Sequence, residues 1–76
     1  MNSSTYKKSY LEKMYPKGTI LELIEDMDDK FTPKPAGSRF KVDFADDFSQ
    51  LHGTWLPSQS GSVAVIVGVD KFRIVS

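Results

Sequence analysis

The chain has no cysteine and only one histidine, His52, so neither a disulfide framework nor a Cys/His zinc site is open to it. Domains as short as its 76 residues often recruit one of those staples, because a small chain buries a smaller share of its surface. An apolar core has to hold this one alone. Lack of cysteine agrees with a reducing compartment, and cytoplasm is the expected location. Long apolar runs are missing too. The longest, Val63-Ala64-Val65-Ile66-Val67, falls well short of the about 20 residues that a membrane-spanning helix requires. The early lysines, Lys7 and Lys8, are followed by no apolar stretch of signal-peptide type, so no secretory leader is expected.

Recognisable catalytic patterns are also absent. No nucleophile motif accompanies His52, which reads as an outward-facing strand residue, with a pH-sensitive contact as the alternative. Gly18, Gly37, Gly53, Gly61 and Gly68 are scattered and open no phosphate-binding helix. Glu25, Asp26, Asp28 and Asp29 lack the glycine and terminal glutamate of a calcium loop and read as solvated charges. The expectation is therefore a protein without catalytic residues, metal or cofactor, that is, not an enzyme.

What is present is an uneven charge distribution. Ten acidic and ten basic side chains cancel, which speaks against a nucleic-acid binder relying on bulk positive charge. The first eighteen residues carry Lys7, Lys8, Lys13 and Lys17 against Glu12, whereas residues 19–47 carry eight acids against four bases. A basic end thus precedes an acidic middle.

The apolar pattern predicts a short helix followed by five short strands. Tyr6, Tyr10, Leu11 and Met14 form one stripe of a helix over residues 5–15, with Ser3 or Ser4 as its cap. Pro16 and Gly18 end it. Residues 19–25 predict the first strand, with Leu21 and Leu23 inward and the helix covering Ile20 and Ile24. Asp26 to Gly37, with its aspartates and prolines, predicts a long ordered loop. Arg39-Phe-Lys-Val-Asp-Phe44 alternates strictly, which places Phe40, Val42 and Phe44 in the core. Gln50 to Leu56 predicts a third strand with Leu51, Gly53 and Trp55 on one face, Gly53 marking a bulge or a close backbone approach. Residues 62–66 and 71–75 supply the last two strands, Phe72 and Ile74 pointing inward, around a tight turn at Val67-Gly68-Val69-Asp70. The expected architecture is mainly β: a small five-stranded SH3-like barrel over residues 19–76, preceded by an N-terminal helical extension over residues 1–18.

Tyr15-Pro16-Lys17-Gly18-Thr19, Met27-Asp28-Asp29, Pro33-Lys34-Pro35-Ala36-Gly37-Ser38 and Gly68-Val69-Asp70-Lys71-Phe72-Arg73 occur in that order. With Asp46-Asp47 and the Leu51-to-Trp55 strand, they make residues 15–75 resemble the family called domain of unknown function 4314 (DUF4314). The helix lies outside this resemblance. The chain departs from the family's pattern at Lys30, at Phe40 where a glycine is usual, and around Ser58-Gln59-Ser60. The resemblance implies a small domain of Gram-positive bacteria, their phages and integrative elements. It carries over no activity and no catalytic residue.

These features lead to the expectation of a non-catalytic protein-binding module, encoded by a phage or mobile element, that meets a basic partner through an acidic loop face. Its surface would comprise Asp26, Asp28, Asp29, Phe31, Asp46, Asp47 and Trp55, with Tyr15 a further candidate ring. One alternative is an anti-CRISPR-like inhibitor that occupies the nucleic-acid site of a host defence nuclease. The other is a nucleic-acid-binding small barrel whose phosphate contacts are Lys7, Lys8, Lys13 and Lys17.

Overall fold

A computed structural model describes residues 6–28, 33–56 and 64–76. One helix, α1 (Lys8–Met14), precedes five strands: β1 (Ile20–Leu23), β2 (Arg39–Ala45), β3 (Gln50–Leu56), β4 (Val65–Ile66) and β5 (Phe72–Ile74). All strand pairings are antiparallel, in the order β4-β3-β2-β1-β5. The last strand therefore returns beside the first. Because β4 and β5 stand at opposite edges without pairing, the sheet is open and not the closed barrel expected from strand spacing.

Alternation explains most of the core. Leu21 and Leu23 of β1 face inward, while Glu22 between them turns out to meet Arg73 at 2.7 Å and Arg39 at 3.3 Å. Phe40 and Val42 of β2 and Leu51 and Trp55 of β3 fill the centre, the Phe40 and Trp55 rings 4.8 Å apart and tilted by 59°. Val65, Val67 and Met27 complete it.

One strongly expected core residue lies elsewhere. Between Val42 and Phe44 the pairing with β3 slips: Val42 opposes Gly53 and Phe44 opposes His52, leaving Asp43 as an inserted residue. A β-bulge of this kind turns the following side chain to the other face. Phe44 is accordingly 52% exposed, and Ala45 takes the buried position. Gly53 makes this possible. A Cβ there would sit inside the Lys41 carbonyl oxygen, 3.0 Å from the Lys41 carbonyl carbon and 3.1 Å from the Asp43 amide nitrogen.

Edges and ends account for the remaining departures. Ile74 pairs with Leu21 and so faces the core side, yet it stays 52% exposed because β5 ends the sheet. Phe72, one step further in, is half-buried against Tyr15 with ring centroids 5.6 Å apart.

The helix is shorter than its stripe suggested. It packs on β2, and Leu11, fully buried, is its one core residue. Tyr6, Tyr10 and Met14 stay exposed, and Ile24 does too, so the helix does not cover the latter. Seven residues make only two turns, enough for one anchoring position. Ser3 and Ser4 lie outside the described residues. The N-cap position is Lys7, without a side-chain cap, and the Lys8 N–H instead donates to Asp47 Oδ1 at 2.9 Å. An aspartate distant in sequence thus supplies the capping oxygen that the local sequence lacks.

Candidate functional site

The segment after β1 is pinned at several points. Met27 and Lys34 form an antiparallel bridge, with N–H to carbonyl distances of 2.7 Å and 3.1 Å. Asp26 Oδ1 accepts the Ala36 N–H at 2.7 Å, and the Ile24 N–H donates to the Lys71 carbonyl at 2.9 Å. Met27 is buried between two exposed aspartates. Asp26 and Asp28 consequently stand on either side of an anchored apolar residue and face solvent.

Both carboxylates line two adjoining clefts. One, of about 350 Å³, lies between this segment and the β4–β5 turn and is bordered by Ala64, Ile66, Val69 and Asp70. The other, of about 370 Å³, is bordered by Pro33, Lys34 and Pro35. The Asp70 side chain is held by the Ile66 N–H, which donates to its Oδ2 at 2.7 Å. Gly68, at φ 96°, gives the tight turn that brings Asp70 back towards Ile66. The first cleft thus sets three carboxylates beside the apolar side chains of Ala64, Ile66 and Val69, a mixed lining suited to a cationic side chain with an aliphatic stem.

The other expected contact residues have different positions. Trp55 is 1% exposed and packs in the core, with the Lys34 ammonium 5.4 Å from its ring centroid. It offers no ring to a partner, because the inward alternation of β3 claims it. Tyr15 leans edge-on against Phe72, and burial raises its phenol above the ordinary value, with lesser contributions from Tyr10 and Tyr6. Asp29 and Phe31 lie outside the described residues. Asp47 caps α1.

Asp46 is committed to the fold as well. Its Oδ1 accepts the N–H groups of Phe48 at 2.8 Å and Gln50 at 3.1 Å, and its Oδ2 lies 2.8 Å from His52 Nε2. Partial burial pushes this carboxyl up, but the hydrogen bonds from His52, Phe48 and Gln50 together outweigh it and hold the group below its ordinary value. Asp26, Asp28 and Asp70 are thus the described carboxylates that line this cleft, whereas Asp46 and Asp47 stand in the β2–β3 turn outside its lining. The sequence marks Asp70 only as part of the Val67-to-Asp70 turn, because its place beside Asp26 and Asp28 is purely tertiary.

The family model described as domain of unknown function (DUF4314) matches residues 5–75. The chain belongs to this family. The match takes in α1, which the resemblance drawn from sequence blocks had left outside. No curated protein and no solved structure matches the chain.

A second surface feature of this DUF4314 chain lies on the outer side of the sheet. The Phe44 and His52 rings stack at 4.8 Å with only 12° between their planes. Asp46 accepts from His52 Nε2, which must carry the proton because an ionised carboxylate has none to give. His52 thus faces outward as the alternation expects, and it is half-buried in a defined arrangement. Among the described residues no group of three or more His, Asp or Glu side chains is placed to hold a metal ion. No described helix is long and apolar enough to cross a membrane.

Proposed function

We propose that this domain is a non-catalytic protein-binding module that takes a basic segment of its partner in the cleft edged by Asp26, Asp28 and Asp70. The observation that carries this reading is that Asp26, Asp28 and Asp70 line one cleft together with the apolar side chains of Ile66 and the exposed Val69. A lysine or arginine stem would lie along those apolar side chains while its charge meets the carboxylates. The strand order, with β5 returning beside β1, supports treating the scaffold as SH3-like, a shape whose loop-lined clefts suit short peptide segments.

Isothermal titration with a tetralysine peptide at low ionic strength tests the proposal. Binding should weaken at least tenfold in an Asp26→Asn/Asp28→Asn double variant, and unchanged affinity would remove the cleft from consideration. Asp28 has an exposed side chain, and asparagine at 26 keeps an oxygen for the Ala36 N–H. The narrower idea, in which the same carboxylates occupy a nucleic-acid site on a host defence nuclease, makes a further demand. The purified nuclease complex must bind the wild-type protein and fail to bind the double variant.

One observation favours a second reading. Lys7, Lys8, Lys13 and Lys17 are all exposed on or beside α1, a placement compatible with phosphate contacts. A gel-shift titration across salt separates the two. An oligonucleotide complex that weakens as salt rises supports the nucleic-acid reading, and no shift at low salt removes it.

A further inference from the structure

We infer that the stacked Phe44–His52 pair is a second recognition site, built to receive an arginine side chain of a protein partner on the free face of the Phe44 ring. The starting observation is that the fold puts Phe44 on the surface by a specific device. Without the bulge at Asp43, strand alternation would bury this ring. With it, Phe44 is half exposed and the small Ala45 fills the core position instead. Bulges often serve to re-aim a side chain next to a functional site. The device also depends on Gly53 opposite, where no other residue's Cβ would fit.

Once outside, the ring is stacked on a neighbour. His52 covers one face at 4.8 Å, and His52 is in turn fixed by Asp46 Oδ2 at 2.8 Å. The other oxygen of the same carboxylate accepts the Phe48 N–H, so it also anchors the turn that carries a ring 72% exposed to solvent. One carboxylate thereby ties the histidine that stacks on Phe44 to the turn that carries Phe48. A ring already stacked before binding has less freedom left to lose when a ligand packs on it.

Charge selects the occupant. Asp43 is exposed beside Phe44, Asp46 reaches the platform through His52 and Asp47 follows in the turn, against Lys41 of β2 and Lys7 and Lys8 at the start of α1, where the Lys8 N–H donates to Asp47. A carboxylate beside the ring repels phosphate and attracts a cation. Among cations, the planar guanidinium stacks on an aromatic face and presents several donors to nearby carboxylates, whereas an ammonium offers a compact, strongly hydrated charge. Arginine therefore fits the platform better than lysine, and a nucleotide does not fit it.

This site is separate from the acidic cleft, and the experiment keeps the two apart. Tetra-arginine and tetralysine peptides are titrated into the full chain while the side-chain NMR signals of Phe44 and His52 are followed. Wild type should prefer arginine by about two- to fivefold, the range of an exposed cation–π contact, with both rings' signals moving. Phe44→Leu, which keeps an apolar side chain but removes the ring, should abolish that preference and leave tetralysine binding intact. Phe44→Ala should do the same. Asp26→Asn/Asp28→Asn should weaken tetralysine and leave in place the Phe44 and His52 shifts that tetra-arginine produces. An arginine preference that survives Phe44→Leu overturns the inference, as does an absence of preference in wild type. A single-stranded oligonucleotide that moves the Phe44 and His52 signals more than tetra-arginine does would overturn it equally.

Discussion

Gly53→Ala gives the sharpest test of how this sheet is built. Glycine in mid-strand normally weakens a sheet, and replacement by alanine at a site with room stabilises by about 0.4–1 kcal/mol through the unfolded chain. Here the opposite sign is expected. The added Cβ would overlap the Lys41 carbonyl oxygen and press on the Lys41 carbonyl carbon at 3.0 Å and the Asp43 nitrogen at 3.1 Å. These are backbone atoms of the paired strand, so no side-chain rotation relieves the clash. Either the bulge flattens, pulling Phe44 inward, or β2 and β3 separate. Overpacking typically costs about 1–3 kcal/mol, and immovable neighbours place this change at or above the upper end. At about 4–8 °C per kcal/mol for a domain of this length, a loss of 3 kcal/mol lowers the melting midpoint by roughly 12–24 °C. Chemical denaturation with circular dichroism measures the free energy directly. Thr54→Ala, at the neighbouring exposed position, serves as control and should change stability by no more than about 0.5 kcal/mol. A Gly53→Ala protein as stable as wild type would show that the strands do not approach here and that the bulge is misplaced.

Further outcomes follow from the same geometry. Trp55→Ala should cost about 3–5 kcal/mol, whereas Phe44→Ala, in a half-exposed position, should cost under about 1 kcal/mol; matched losses in urea unfolding would contradict the outward placement of Phe44. Ser49 adopts φ 64° and its Oγ accepts the Tyr6 N–H at 2.7 Å. Ser49→Gly should therefore trade backbone strain for a hydrogen bond and change little. Ser49→Ala keeps the strain, loses the bond and should unfold about 1 kcal/mol more easily; equal midpoints for the two variants would refute this. Asp46 titrates below its ordinary value of 3.8 in the fold. Its contribution is thus fully present above the unfolded-state value and disappears as pH falls through the lower folded-state value. Asp46→Asn should flatten the acid limb of a stability profile without abolishing it, since hydrogen bonds from Arg73 and then Arg39 also hold Glu22 low. An acid limb identical to wild type would count against the Asp46 network.

Sequence patterning revealed individual elements better than the relations between them. The Gln50-to-Leu56 strand has the bounds expected of it, and Leu21, Leu23, Phe40 and Val42 are buried as alternation requires. Gly53 was also legible as a bulge or close approach, because an unbranched backbone in mid-strand needs a reason. What it does to Phe44 was not. The alternation from Arg39 to Phe44 is unbroken in sequence, and only the pairing of β2 with β3 reveals the inserted residue.

The site shows the same division. Aspartates of the acidic middle are easily counted, but their duties depend on distant partners. Asp47 caps a helix 39 residues away in sequence, Asp46 secures His52 and its own turn, and Asp70 joins Asp26 and Asp28 from the far end of the chain. Trp55 shares the Leu51 face of its strand and also stands near the acidic loop, so the sequence allowed either a core residue or a contact ring. Its inward position follows from the core's need for a large side chain beside Phe40.

The central claim is that the Asp26–Asp28–Asp70 cleft receives a basic protein segment. Amide NMR mapping during a tetralysine titration tests it residue by residue. The account predicts that Asp26, Met27, Asp28, Val69 and Asp70 move together, and that the shifts diminish as salt rises. Shifts confined to Lys7, Lys8 and Lys13 on adding an oligonucleotide, with the cleft amides unmoved by the peptide, would contradict it.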